Sequence, residues 1–581
     1  MKKTLWIPLS LLTMMTLLSC SSANDSSVYN GLDYDYNSKI TIAEPTSIEV
    51  NETSDAFEIV TNDGNYTKSG NIYTISAAGT YALSGKLEGQ ILVAAGEEDD
   101  VILELNGVSI SYSEDAPIKA SSGNKLEISA KKDSGNIISD TRSHKSVDIE
   151  TQGEGAISSS IALKLKSSGT LIVTGNYNHG VYTSKDLEIQ KLTLKSTGYN
   201  NAIKGKDSVT ISSGTIQAYA LTGNGIKTDS SDISSKGNQR GTIHIDGGNI
   251  YVDALHDGID AAYEVIIDEA DADVITEVSI VTGTSSSAYS KSSFKADSEK
   301  GIKASNAITV NAGTLVISAS DDAIHANYGD TLENGSKGQG NVTINSGKVK
   351  IASGDDGLHA DNTLAIHDGV VVVTNASEGF EANYINITGG YSYIYGSDDG
   401  VNCSKKSFNS CAFTMSGGYL DVAVRSGDTD GIDSNGNFTL SGGTIVTRGS
   451  PGSTGSGIST GLDVDGTASM TGGTLIAFNG LEKQPSTSSG ISYAGTSGAN
   501  SSSGGGGRPG GWRAYSTSSS LSAGNYTLSG NGLEISFTND YVYGSFLVYS
   551  AALATGNTYT LSRAGSTVYS WTQSSSSVTI S

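Results

Sequence analysis

The sequence predicts an all-β chain wound as a right-handed parallel β-helix of about 22 residues per coil and about 13 coils, followed by a small C-terminal β segment. Three observations predict it. Glycine is abundant at 72 residues while proline is rare at 6, so the chain turns often without being a Pro-rich disordered tract, and no strict glycine period marks collagen. A short phrase returns along the middle of the chain: a small residue, an aliphatic, any residue, a small residue. Its aliphatic falls at Ile118, Ile157, Val181, Ile203, Ile226, Ile259, Ile302, Ile324, Leu358, Phe380, Val401, Ile432 and Leu462. A second phrase runs in step with the first, Gly-Gly or its like and then an alternating strand, as in residues 246–254, 311–319, 367–375, 388–396, 441–449 and 471–479.

The shortest intervals between these aliphatics cluster near about 22 residues, and the longer ones add an insertion. That length holds three short strands and three turns, and such coils stack at about 4.8 Å. Competing repeats fit worse. Leucine-rich repeats need a Leu/Asn consensus, propellers need blades of about 40 residues, and the calcium-binding nonapeptide GGxGxDxUx is absent.

At the N-terminus, Lys2-Lys3, an apolar run from Leu5 to Leu18 and then Ser19-Cys20 read as an export signal too short to span a bilayer. Leu17-Leu18-Ser19-Cys20 resembles the bacterial lipobox, which implies cleavage before Cys20 and lipidation of it, with 21–40 as a tether. The expectation is an exported protein, lipid-anchored to a bacterial membrane at the cell surface, touching the membrane through that anchor alone. Residues 41–483 form the β-helix, of which 41–115 are the N-terminal cap and first strands. Residues 484–520 are a Ser/Gly-rich linker, and 521–581 alternate as the C-terminal β segment. Cys403 and Cys411 remain in a compartment where disulfides form; they are either bonded to each other, or Cys403 is buried and free in an inward column.

Strand alternation assigns faces. The aliphatic of the first phrase and the small residue two places on point inward. The residue between them points outward, and down the stack it reads Lys204, Lys227, Asp260, Lys303, His325, His359, Glu381, Asn402, Asp433, Asp463. Acids also precede the aliphatic, so that Asp257, Asp260, Asp321, Asp322, Asp355, Asp356, Asp361, Asp398, Asp399, Asp430 and Asp433 form acidic columns. Stacked carboxylates repel and raise each other's pKa, and Ca²⁺, which takes oxygen ligands at about 2.3–2.6 Å, fits between neighbouring coils. The same acids suit turns, where their side chains cap turn amides. His256, His325 and His359 read as stacked surface residues rather than ligands, because calcium prefers oxygen.

Tyrosine is the dominant aromatic, 28 residues against 9 Phe and 3 Trp, and rigid rings with a polar tip suit binding surfaces. Alternation in the second phrase turns Tyr251, Tyr391, Tyr393, Tyr395 and Tyr419 outward, where they would stack on sugar rings. The net charge of −25 sets the chain against nucleic acid as a partner.

GTYALSGKLEGQILVAAGEEDDVILELNGVSISYSEDAPIKA (79–120), the repeated DGI-type turns before GG strands, and the Gly-rich stretch before a terminal β segment resemble bacterial carbohydrate-binding-domain proteins with a polysaccharide-lyase-like fold. The resemblance implies a non-catalytic parallel β-helix that carries calcium and binds plant cell-wall polysaccharide, cellulose or acidic sugars such as polygalacturonate. The insertions around 229–240, 268–298 and 328–340 reshape any groove. The alternative is a calcium-dependent pectate-type lyase, with Lys227, Lys303, Arg425 or Arg448 as the base, or a galacturonan hydrolase using paired acids such as Asp355-Asp356 or Asp398-Asp399. A structural surface protein or adhesin is a further alternative.

Overall fold

The computed structural model describes residues 40, 42–144, 155–271, 274–283, 298–425, 427, 429–451, 459–497, 499 and 520–581. The export signal, Cys20 and nearly all of the tether lie outside the described residues. The described chain is all-β, and parallel pairing dominates its main sheet. Strands pair with the strand about three places further along the chain, a connectivity consistent with a parallel β-helix of three faces.

The first face carries the recurring aliphatic. Ile118 pairs with Ile157, Ile157 with Val181, Ile259 with Ile302, Leu358 with Phe380 and Ile432 with Leu462, so the aliphatics read from the sequence form one continuous ladder. They are buried together with the small residues two places on, Ala261, Ala304, Ala326, Ala360 and Ala382. Burial of that ladder is the main favourable term, at about 25 cal/mol per Å² of apolar surface removed from water. Cys403 lies in the same inward column and is free and buried, as is Cys411.

The Gly-Gly phrase opens the third face for a steric reason. Gly390 has φ +72, and a Cβ there would lie 2.8 Å from the carbonyl oxygen of Gly369 in the coil below. Gly443 repeats this, at φ +79 and 2.7 Å from the Gly418 oxygen. Only glycine tolerates both the left-handed backbone and the close approach of the preceding coil.

A stack of coils leaves two open edges and an outer surface, and terminal segments cover much of both. At one end Glu58–Thr61 pairs antiparallel with Gly79–Glu88. At the other, Phe546–Ser550 pairs antiparallel with Thr474–Phe478, the last strand of the third face. Residues 521–581 also form a four-stranded antiparallel sheet that packs on the outside of the third face. Near the N-terminus, the segment around residues 46–50 crosses that same outer surface: Gln217 Nε2 donates to the Thr46 carbonyl at 2.9 Å and Lys195 Nζ to Ser47 Oγ at 2.9 Å. The stretch 484–520, read as a linker, differs in its described part. Ser492–Thr496 pairs with both Phe546–Ser550 and Ser577–Ile580, because Tyr493 packs on Tyr549 at 4.9 Å and ties the strand down.

Candidate functional site

The turns that lead into the first face use acids and amides as caps for the next coil. Asn201 Oδ1 accepts the amide of Asn224 at 2.8 Å, Asn224 that of Asp257 at 2.9 Å, and Asp257 that of Lys300 at 2.8 Å. Further along, Asp322 caps Asp356 at 3.0 Å, Asp356 caps Glu378 at 3.2 Å, and Asp399 caps Asp430 at 2.7 Å. These acids therefore hold turns, and a second carboxylate oxygen remains beside the row of side chains on the outer side of the first face.

That row stacks in the order read from the sequence: Lys227 beside Asp260, Asp260 beside Lys303, Lys303 beside His325, His325 beside His359, His359 beside Glu381, then Asn402, Asp433 and Asp463. Alternation places it facing water, but Lys204, His359 and Glu381 are buried. Insertions lean over it. Tyr328, at the start of the 328–340 insertion, donates its amide to Asp361 at 2.8 Å, and Lys406, from the 404–411 insertion, pairs with Glu381.

Two clusters result. In the first, cations meet the acids. Asp260 is held by Lys227 at 2.8 Å, Asp321 by Lys300 at 2.7 Å, and Asp322 by Lys300 at 2.8 Å and His325 at 2.6 Å. Asp356 contacts His359 at 2.9 Å, Asp361 lies 3.3 Å from the same ring, and Lys303 lies 3.8 Å from Asp257. Burial raises the Asp322 and Asp361 carboxyls, but the imidazoles of His325 and His359 beside them, with Lys300 beside Asp322, outweigh it and hold both well below the usual carboxylate range. Burial alone would lower the His359 imidazole; Asp356 and Asp361 drive it up to about 10.

In the second cluster acids face acids. Burial, then Asp433 and Asp398, pushes Asp399 up to about 7. Burial takes Asp430 up to about 8 against its bonds to Thr460, and burial with Asp463 takes Asp433 to about 6. A hydrogen bond with Asp463 and burial bring Glu482 to about 8. Among the described residues no lysine, arginine or histidine forms an ion pair with Asp398, Asp399, Asp430 or Asp433. Three groups bring three ligand atoms within 4.8 Å of one another, namely Asp321, Asp322 and Asp355; Asp322, His325 and His359; and Asp356, His359 and Glu381.

The tyrosines require correction. Tyr393, Tyr395 and Tyr419 do project from the third face, but the C-terminal segment covers them. Tyr395 Oη meets Tyr541 Oη at 3.0 Å and Tyr419 Oη donates to the Ser536 carbonyl at 3.2 Å. Tyr391 is half-buried against the same cluster, and Tyr251 is buried, its ring 5.9 Å from that of Tyr219. Pointing away from the coil is not the same as facing water once another element docks there. Arg448, read as a candidate base, is likewise buried, bound to Asp421 and, at 2.6 Å, to Asn539 Oδ1. Lys227 is engaged by Asp260, and Arg425 Nη2 donates to Asn375 Oδ1 at 2.6 Å.

An aromatic group that no repeat signals lies on the insertions instead. Exposed Tyr328 stands 4.7 Å from Phe408 between ring centroids, and Phe408 stands 6.0 Å from Tyr384. Tyr384 is pinned through its hydroxyl to Ser410 Oγ at 2.8 Å. The bond from the Tyr328 amide to Asp361 makes this group continuous with the stacked histidines.

A family model described as carbohydrate-binding domain-containing protein matches residues 69–337 and 329–482, more than half of the chain. A protein of Acetivibrio thermocellus with the same description is 33% identical over 207 residues, which is 35% of this chain and 65% of that relative. The match thus spans a little less than two thirds of the relative's length. A solved structure, a polysaccharide lyase-like protein from C. thermocellum as its gadolinium derivative, is 29% identical and covers 43% of this chain and 90% of that one, at a TM-score of 0.35.

Proposed function

We propose, from the premise that the chain belongs to the family of carbohydrate-binding domain-containing proteins, that it is a non-catalytic polysaccharide-binding protein of the bacterial cell surface. In this reading it is a right-handed rod of about 13 coils, held by a lipid at Cys20, stiffened by calcium, and binding plant cell-wall polysaccharide such as cellulose or polygalacturonate. The observation that supports a sugar surface is the group of Tyr328, Phe408 and Tyr384 inside the matched stretch, where one ring is exposed and another is fixed by its hydroxyl. Pyranose rings stack on such rings, and Asp361 and the neighbouring histidines supply polar partners.

The donor chemistry fits a hard cation. Asp399, Asp430 and Asp433 offer carboxylate oxygens with raised pKa values and, among the described residues, no ammonium or guanidinium partner, a state that a divalent ion relieves by fixing the charged form. Asp398 and Asp463 would complete such a shell. Asp321, Asp322 and Asp355 also converge, but Lys300 already supplies the positive charge there, and Asp257, Asp260, Asp356 and Asp361 have Lys or His beside them. When bound, calcium would neutralise the acids and lock adjacent coils together.

Affinity electrophoresis through polygalacturonate and sedimentation with cellulose, each with Ca²⁺ or EDTA, test this reading. Retardation or co-sedimentation of the folded protein is the expected result. Indifference to every polysaccharide would sink it, and steady release of unsaturated sugar would favour a lyase instead.

A further inference from the structure

From the sequence the stacked histidines read as surface residues, because calcium favours oxygen, yet one of them sits among side chains of a different chemistry. His359 is buried, with its side chain 9% exposed, between Asp356 and Glu381, which are themselves almost fully buried. Neither ring nitrogen makes an aligned hydrogen bond, and both face carboxylates, Nε2 lying 3.3 Å from Asp361 Oδ1. What they make are close approaches: Nδ1 lies 2.9 Å from Asp356 Oδ2 and 3.3 Å from Glu381 Oε2. We propose that Asp356, His359 and Glu381 form a binding site for one first-row transition-metal ion of the zinc or cobalt(II) class, separate from the calcium-type acids.

The distances decide the class of ion. Ligands held about 2.0–2.1 Å from one metal lie about 2.8–3.0 Å from each other in octahedral arrangement and about 3.3–3.4 Å in tetrahedral arrangement. The two approaches to Nδ1, 2.9 Å and 3.3 Å, match these separations, and all three ligand atoms lie within 4.8 Å of one another. Calcium wants six to eight oxygens at longer range and gains little from an imidazole. One nitrogen with two carboxylates on a closed, buried site is a borderline-metal set.

Only one of the two histidines belongs to the site. The His325 and His359 rings lie parallel, 6° apart, with centroids separated by 4.1 Å. An imidazole binds a metal in its own ring plane, so a single ion cannot serve both rings as they stand. His325 is engaged elsewhere, its Nδ1 2.6 Å from Asp322. Lys406, reaching Glu381 from the 404–411 insertion with half its side chain exposed, is the built-in competitor that a metal ion displaces.

The test is a Co²⁺ titration of the folded chain followed by the d–d absorption of the ion, with Zn²⁺ competition and millimolar Ca²⁺ present throughout. One equivalent of Co²⁺ binds, Zn²⁺ displaces it, and Ca²⁺ does not. His359→Gln and Glu381→Gln weaken binding at least about tenfold, while His325→Gln keeps it. Should His359→Gln fail to fold, Lys406→Met at the exposed position decides alone: tightening of about tenfold supports the site, and unchanged affinity overturns it. Displacement of Co²⁺ by calcium, or an unaltered titration in folded His359→Gln, also overturns it. Neither result bears on sugar binding, which is read separately.

Discussion

The coils that carry Asp322, His325, Asp356 and His359 and the coils that carry Asp399, Asp430 and Asp433 share one construction and differ in one respect. In both, an acid caps a turn amide of the next coil, Asp322 to Asp356 at 3.0 Å and Asp399 to Asp430 at 2.7 Å. In the first region Lys300, His325 and His359 stand beside the acids, and Asp322 and Asp361 are held low. In the second, no lysine, arginine or histidine among the described residues answers, and Asp399, Asp430 and Asp433 are pushed up to about 7, 8 and 6. The turn motif is thus indifferent to charge, because the capping oxygen needs only to accept a hydrogen bond. What the rest of the carboxyl does is set by what the next element brings. The first region is internally neutralised, and the second has no counter-charge of its own among the described residues.

The largest effect should come from breaking the internally neutralised region. Asp322→Ala removes the partner of Lys300 and His325 and leaves their charge buried, a loss of about 3–5 kcal/mol. Denaturant unfolding would measure it, and a loss no greater than that of Asp430→Asn would erase the distinction between the regions. Next in size is the pH response of the second region. Its carboxyls have folded pKa values above the unfolded value of about 4, so the folded state holds more protons between the two. Stability is therefore full below the unfolded pKa and falls as pH rises through about 6 to 8. Roughly 2 kcal/mol should be lost between pH 5 and pH 8 in EDTA and restored by Ca²⁺, read by scanning calorimetry. His359, raised to about 10, adds its own loss on the alkaline side, so Asp399→Asn with Asp430→Asn is the comparison that isolates the acids. Asp430→Asn alone keeps an oxygen to cap Thr460 while removing the charge. It should stabilise the calcium-free chain by about 1 kcal/mol at pH 8 and shrink the calcium response; a larger calcium response would be inconsistent with a ligand at Asp430.

Much of this contrast was legible in the sequence and some of it was not, for reasons of periodicity. The ladder from Ile118 to Leu462 carries the same short phrase in every coil whatever insertion separates two coils, so its register follows from that phrase, and with it the row from Lys204 to Asp463. The second glycine of each Gly-Gly phrase was equally readable, since backbone approach forbids any side chain. Lys406, by contrast, reaches Glu381 from an insertion that obeys no period, so the neutral or charged state of the column could not be read along it. The tyrosines show the same limit. Alternation turned Tyr393 and Tyr395 outward correctly, but it carries no information about an element more than a hundred residues away that docks over them, as Tyr541 does on Tyr395.

The smallest expected effect separates the two aromatic groups. Tyr328 is exposed and packs on Phe408, whereas Tyr393 is buried beneath the C-terminal sheet. If sugar rings stack at the insertions, Tyr328→Ala weakens polysaccharide binding by about 1 kcal/mol, roughly fivefold, and leaves the unfolding temperature unchanged, since little buried surface is lost. Tyr393→Ala should do the reverse, lowering the unfolding temperature through a cavity under the C-terminal sheet and leaving affinity intact. Affinity electrophoresis of the two variants side by side reads both outcomes. A loss of affinity confined to Tyr393→Ala would move the sugar surface back to the third face, and would mean that the C-terminal sheet lifts from it when polysaccharide binds.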